Sequence, residues 1–222
     1  MRYCTGEAAL AAEGLVGPAQ VVWLNRVRED LESRDQFTRS VEAFQTLAIP
    51  WGVGNALTGL AAVALATGDV AEAERLIEEA TSALRHAAPL FLSLALYVRA
   101  ILAVRRENAD EAIAVVRESL THIRELHDKF AFVYALVPLA AAAALKGDDA
   151  WVARILGARD AVTERTGVTV VDKSVHDPTE QAEREARARL GPDRWARAYE
   201  AGRRISIDSA QSLSRFVAEG QR

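Results

Sequence analysis

The sequence is poor in the residues that build disulfides, aromatic cores and basic surfaces. Cys4 is the single cysteine among 222 residues, so no disulfide can form within the chain, and a reducing compartment fits this composition. Phenylalanine, tryptophan and tyrosine make up only 6% of the residues, so alanine and leucine must fill most of the interior. A net charge of −4 provides no concentrated positive surface, so we expect no direct contact with nucleic acid.

Long apolar segments are also scarce. A membrane-crossing helix needs about 20 apolar residues, and the uncharged run FAFVYALVPLAAAAAL (130–145) is shorter than that. The N-terminal residues include Glu7 and Glu13 and lack a continuous apolar stretch, which argues against a secretory signal. We therefore expect a cytoplasmic protein that does not cross a membrane.

Motifs that carry chemistry are missing as well. The sequence contains neither the G-x-x-x-x-G-K-[ST] phosphate loop nor the H-E-x-x-H zinc motif. His122 and His127 are five residues apart, whereas two metal ligands on one helix face are three or four residues apart. His176-Asp177 could form an acid–base pair, but no nucleophile accompanies it. The sequence therefore predicts a protein without a metal site, a cofactor or catalysis of its own.

The feature that is present is an alanine-rich phrase that occurs three times. It reads ALTGLAAVALATGD at 56–69, ALYVRAILAVRREN at 95–108 and ALVPLAAAAALKGD at 135–148. From Gly68 to Glu107 is 39 residues, and from Glu107 to Gly147 is 40 residues. A repeat of this length, without the alternation typical of strands, indicates stacked helical hairpins.

Each repeat divides into two helices with a turn between them. The first helices are predicted over 51–67, 90–106 and 130–146, and the second helices over 70–87, 109–127 and 149–166. Asp69, Asn108 and Asp148 follow the first helices, where short polar side chains can cap the N-terminus of the next helix. The second helices carry apolar residues at steps of three and four, which predicts one buried stripe on each.

Flanking segments extend the repeats at both ends. A helix beginning at Pro18 and ending near residue 33, and another over 36–48, precede the first hairpin. After a loop over 167–178, short helices are predicted over 179–190, 193–203 and 207–219. We therefore expect an N-terminal helical segment with a partial repeat (1–50), three hairpins (51–166), and a loop with a helical cap (167–222). Such a cap covers the apolar face of a terminal repeat.

The first repeat resembles the tetratricopeptide-like family. In GLAAVALATGDVAEAERLIEEA (59–80), the positions that match the family pattern are Leu60, Ala61, Gly68, Asp69 and Ala73. The middle repeat departs from the pattern, because Glu107-Asn108 replaces the glycine turn and Arg99 replaces a leucine. The resemblance implies an all-α fold, a right-handed tetratricopeptide-like solenoid of helical hairpins with a C-terminal helical cap.

Two further stretches resemble the C-terminal end of large bacterial regulatory ATPases. They are ARILGARDAVTERTG (153–167) and ARARLGPDRWARAYEAGRRISIDSAQSL (186–213), and GPAQVVWLNRVREDLES (17–33) is similar to the segment that joins the ATPase to its repeats. Such proteins often also carry a LuxR-type DNA-binding domain or an adenylate-cyclase domain. This sequence has neither a phosphate loop nor a LuxR-type helix-turn-helix. The resemblance therefore implies the repeat region alone, a regulatory interaction module in transcription or signal transduction.

The register of tetratricopeptide-like repeats places a set of residues on the inner face of the solenoid. These groove residues are Asn55, Thr58, Ala62, Leu65, Leu94, Tyr97, Ile101, Arg105, Tyr134, Val137 and Ala141. An exposed apolar surface of this kind binds a protein partner, such as a peptide or helix, or a small apolar effector. Alternatively, the long helices and the C-terminal cap fill the groove themselves. The sequence leaves the partner and the oligomeric state open.

Small residues at repeated positions lead to the first prediction. Ala61 lies where two helices of a hairpin are expected to pack closely, so Ala61→Phe should lower the free energy of unfolding by roughly 1–3 kcal/mol through overpacking. A thermal or chemical melt of the two proteins measures this change. An unchanged melting curve would contradict the assignment of Ala61 to a packed interface.

Overall fold

The computed structural model describes residues 32–85, 87–168 and 173–209, which form nine α-helices and no β-strand. The helices are α1 (Glu32–Thr46), α2 (Pro50–Ala66), α3 (Val70–Leu84), α4 (Pro89–Arg105), α5 (Ala109–Leu126), α6 (Lys129–Leu145), α7 (Asp149–Thr166), α8 (Lys173–Leu190) and α9 (Pro192–Arg203). The predicted all-α class is therefore confirmed. Within these ranges, no helix has the length and apolar character needed to cross a lipid bilayer.

Most helices in the repeats have the bounds that the sequence predicts. The three first helices, α2, α4 and α6, each begin and end one residue before the predicted range, while α7 matches its range and α3 ends three residues early. Helix α1 begins four residues before its predicted start at residue 36. The helix predicted from Pro18 falls almost entirely outside the described residues, as does most of the helix predicted over 207–219.

One predicted loop is largely wrong. Helix α8 begins at Lys173, so the part of the 167–178 segment from residue 173 onward is helical and includes Asp177 and Pro178. A proline holds φ near the helical value and removes a single backbone N–H, so a helix can continue through it at some cost in stability. Gly167 does end α7, in the left-handed conformation with φ of 71°.

The helix N-termini confirm the predicted capping residues. The side chains of Asp69, Asn108 and Asp148 each accept a hydrogen bond from the backbone N–H three residues later, all at 3.1 Å. Asp128 caps α6 in the same way by accepting from the N–H of Ala131 at 3.0 Å. Because these bonds satisfy N–H groups that the helix leaves unpaired, they define where α3, α5, α6 and α7 start.

The turns between helices use left-handed residues, whether or not glycine is present. Gly68 and Gly147 have φ of 85° and 73°, which glycine adopts without strain. Glu107 occupies the equivalent position in the middle repeat with φ of 56°, and His127 does so after α5 with φ of 51°. The turn geometry is therefore kept where the glycine of the pattern is replaced, at an energetic cost to the L-residue.

The chain divides into two compact units, Met1–Val98 and Arg99–Arg222, and the division lies within α4. In the first unit, α2 packs against both α1 and α3. Three glycines of α2 make room for large side chains of these neighbours. A Cβ at Gly52 or Gly59 would collide with the ring of Phe44 or Phe37, respectively, and one at Gly54 would lie 2.5 Å from Leu84 Cγ.

In the second unit, α6 is the most enclosed helix. Its residues from Ala131 to Ala143 are all buried, and it packs against α5, α7 and α8. The sequence of α6 is apolar on every side, so this helix can be stable only when neighbours surround it. The alanines that recur once per repeat (Ala61, Ala64, Ala100, Ala103, Ala140 and Ala143) are all buried in their own units.

Glu107 supplies a prediction for the turn of the middle repeat. Glu107→Gly should raise the free energy of unfolding by about 0.5–1 kcal/mol, because a left-handed conformation costs an L-residue about 1–2 kcal/mol and the greater freedom of unfolded glycine offsets part of that gain. Urea denaturation measures the difference.

Gly147→Ala is the matched control. No atom lies within 4 Å of an added Cβ at this position, so steric clash makes no contribution. The left-handed strain of alanine should outweigh the gain from a less flexible unfolded chain, so the substitution should destabilise the protein. Loss of stability in Glu107→Gly would contradict the role assigned to the left-handed turn.

Candidate functional site

The groove residues of the first unit are largely interior. On α2, Asn55 and Ala62 are half-buried, whereas Thr58 is fully buried and its hydroxyl donates to the carbonyl of Gly54 at 2.8 Å. This hydrogen bond satisfies the Thr58 hydroxyl within its own helix. Leu65, Leu94 and Tyr97 are also buried.

In the second unit, the groove residues behave in the same way, with one exception. Ile101, Tyr134, Val137 and Ala141 are buried, while Arg105, in the last turn of α4, is exposed. Among the predicted groove residues, Arg105 therefore has the side chain most available to a partner. The binding role of the whole set remains a prediction.

Helix α8 lies against both α6 and α7. Of the side chains described on α8 (residues 180–190), only Ala186 is fully buried, and Ala182, Glu183 and Leu190 are half-buried. The other seven are exposed, and most of them are charged. A predominantly polar helix therefore covers part of a neighbour that is apolar on every side.

A bidentate ion pair attaches α8 to the start of α7. Arg189 Nε donates to Asp149 Oδ2 at 3.0 Å, and Arg189 Nη2 donates to Asp149 Oδ1 at 2.8 Å. The Asp149 side chain retains 13% of its accessible surface, compared with 51% for Arg189. The carboxylate also lies in the first turn of α7, where the helix dipole favours a negative charge. The hydrogen bonds to Asp149 raise the pKa of Arg189, so its guanidinium stays charged.

Helices α7 and α9 meet at very short range. A Cβ at Gly157 would collide with the carbonyl of Tyr199, and a Cβ at Gly202 would collide with the carbonyl of Arg154. The two glycines therefore allow the backbones to touch, which a larger residue at either position would prevent. Trp195 of α9 is buried in the same part of the molecule.

Polar side chains flank this contact. The Tyr199 hydroxyl donates to Asp160 Oδ2 at 2.8 Å, and Arg203 donates to both carboxylate oxygens of Glu164 at 2.9 and 2.7 Å. Burial raises the pKa of Tyr199 to about 12, and the hydrogen bond to Asp160 acts in the same direction. The hydrogen bonds from Arg203 lower the pKa of the Glu164 carboxyl. The hydrogen bonds themselves, from Tyr199 to Asp160 and from Arg203 to Glu164, attach α9 to α7.

No sequence pattern indicated the pairs that attach α8 and α9. Arg189 and Asp149 are 40 residues apart, and Tyr199 and Asp160 are 39 residues apart. No local spacing pairs residues at such a distance. Within the ranges that the structure covers, no three His, Cys, Asp or Glu residues come together in a way that could hold a metal ion.

Tyr199 provides a prediction for alkaline pH. Its pKa is raised from 10.0 to about 12, so its contribution to stability is complete below pH 10 and is lost as the pH rises through 12. Tyr199→Phe should lower the free energy of unfolding at neutral pH by about 0.5–1.5 kcal/mol through the lost hydrogen bond. The same variant should flatten the loss of stability over that alkaline window, which urea denaturation at several pH values measures.

Asp160→Asn is the companion variant, because it removes the charge that disfavours the tyrosinate. The difference in ultraviolet absorbance between Asp160→Asn and Tyr199→Phe, followed with pH, reports the ionisation of the Tyr199 hydroxyl. This hydroxyl should ionise at lower pH in Asp160→Asn than in the unchanged protein. Equal alkaline slopes for Tyr199→Phe and the unchanged protein would contradict the assignment.

No protein-family model, curated protein or solved structure matches the chain.

Proposed function

We propose that the protein is a non-catalytic, tetratricopeptide-like interaction module of a bacterial transcription or signalling regulator, which docks a protein partner in a concave groove. The repeats would stack as a right-handed solenoid, and α8 and α9 would form its C-terminal cap. A cytoplasmic location, the absence of cofactors and the absence of direct nucleic-acid contact belong to the same proposal.

The observation that carries the proposal is the contrast between the inner and outer helices of the hairpins. Helices α3 and α5 each bury one apolar stripe and keep a charged outer side, whereas α6 is buried on all sides. Stacked hairpins need this arrangement, because the inner helix lies between neighbours and the outer helix faces water. Stacked helical repeats generally present extended surfaces that bind other proteins.

The resemblance to bacterial regulators adds support from the C-terminal part of the chain. The two stretches that carry it contain α7, α9 and the end of α8, including the glycines at 157 and 202 that allow α7 and α9 to touch. The similar residues are thus the ones that the packing of the cap requires. In the regulators, the repeat region serves as a sensing and docking arm, and we propose the same role here.

A small apolar effector is the second candidate. Tyr97 and Tyr134 place hydroxyl groups among buried apolar side chains of their respective units. A few polar groups in apolar surroundings are typical of sites for small ligands. The same residues would then bind a metabolite, and the module would sense it.

Arg105 allows the docking function to be tested. A photo-crosslinking amino acid at position 105 would capture the partner in cells, and binding of the purified partner would then be titrated. Arg105→Glu should weaken binding about tenfold, which corresponds to about 1.4 kcal/mol. Arg194→Glu makes the same charge change at an exposed position of α9, outside the groove set, and should leave affinity unchanged.

Three results would count against protein docking. Equal affinities of both variants for the captured partner would contradict the role of the groove. A metabolite that raises the melting temperature in a saturable way, with the effect lost in Tyr97→Phe, would favour the effector alternative. Nucleotide hydrolysis above background by the purified protein would overturn the assignment as non-catalytic.

A further inference from the structure

We propose that residues 180–190 of α8 form a displaceable strap over α6, which opens while α7 and α9 stay packed together. In the closed form, α8 itself covers this face of α6 and makes it inaccessible to a partner. The regulatory role of the strap rests on the proposed docking function, since closing it would inhibit binding at that face. Opening is a property of the free chain and does not depend on any partner.

The strap covers a face that is costly to expose. Every residue of α6 from Ala131 to Ala143 is buried, and none of them is charged. The other neighbours that pack against α6 in the same unit bury large apolar side chains, which include Ile113, Val116 and Leu120 on α5 and Val152, Ile155 and Leu156 on α7. These contacts keep α5, α6 and α7 together through the hydrophobic effect.

The strap contributes much less apolar surface. Its buried and half-buried apolar residues are two alanines, Ala182 and Ala186, and one leucine, Leu190. The free energy of local opening follows the apolar contacts that are lost, so elements with few such contacts open first. By this measure, residues 180–190 are held more weakly than α5 or α7.

Ion pairs within α8 give only weak support to its helical form once it leaves α6. Arg184 and Arg189 lie 3.6 and 3.5 Å from Glu180 and Glu185, respectively, each pair four residues apart on one face. Gln181 also donates to Glu185 at 2.9 Å. Pairs at this spacing stabilise isolated helices. A helix of this length is nevertheless only marginally stable on its own in water, so the released strap frays and its amides become open to exchange.

The attachments at the end of the strap define how it opens. Gly191, with φ of 77°, forms the turn to α9 and provides a hinge that other residues would strain. The Arg187 guanidinium lies 5.1 Å from the centre of the Trp195 ring, so it ties the strap to α9 and not to α6. The ion pair between Arg189 and Asp149 holds this end of the strap to α7.

Hydrogen exchange and a fluorescent probe test the strap in the full chain. In the unchanged protein, amides of 180–190 should exchange about tenfold faster than those of α6 and α9, because they open locally. Arg189→Glu should accelerate exchange in 180–190 further and increase the fluorescence of 8-anilinonaphthalene-1-sulfonate severalfold, since this dye binds exposed apolar surface. Exchange in α9 should not change, which shows that the cap remains folded.

Arg184→Glu is the matched control, because it makes the same charge change on the same helix, and Arg184 pairs with Glu180 of α8 itself. This variant should give the dye fluorescence of the unchanged protein. Combining Arg189→Glu with Asp149→Arg should restore the low fluorescence by reversing the ion pair.

Two outcomes would overturn the strap. One is equal protection of 180–190, α6 and α9 in the unchanged protein, which would show that they unfold together. The other is the same increase in fluorescence for Arg184→Glu and Arg189→Glu. Neither measurement uses a partner, so the strap is tested independently of the docking function. Failure of the docking function would leave the strap in place, and failure of the strap would leave the docking function to its own tests.

Discussion

The burial of α6 is the constraint on which the second unit depends. A helix that is apolar around its whole circumference cannot border water, so α5, α7 and α8 must enclose it. Two of these neighbours bury large aliphatic side chains, while residues 180–190 of α8 bury or half-bury only two alanines and one leucine and make an ion pair to α7. Because the strap contributes less apolar contact than α5 and α7, it is the neighbour that can move away from α6.

Turn chemistry determines how the helices reach these positions. Asp69, Asn108 and Asp148 cap the second helices in the same way, although the sequence before them changes from glycine to glutamate in the middle repeat. A left-handed residue follows each first helix in every case. The turn geometry therefore repeats more strictly than the turn sequence does, and Glu107 adopts, at an energetic cost, a conformation that glycine adopts without strain.

The C-terminal helices link the fold to the proposed function. Backbone contact at Gly157 and Gly202, together with the pairs made by Tyr199 and Arg203, holds α9 firmly on α7. Helix α8 lies between α7 and α9 in the chain, and its residues 180–190 bury little apolar surface. A docking module with such a cap could regulate access to its own apolar interior without unfolding.

The sequence by itself determined the helices of the repeats, because apolar periodicity and capping residues act over a few neighbours. It also indicated Ala61 and Ala140 as close-packing positions. The start of α8 at Lys173 was missed, because Asp177 and Pro178 have loop-forming tendencies that the surrounding helix overrides. Only the tertiary structure decided that Thr58 and Tyr134 are buried and that Arg189 meets Asp149. Those outcomes depend on which helices come together in space, and residues 40 positions apart leave no local pattern that would reveal it.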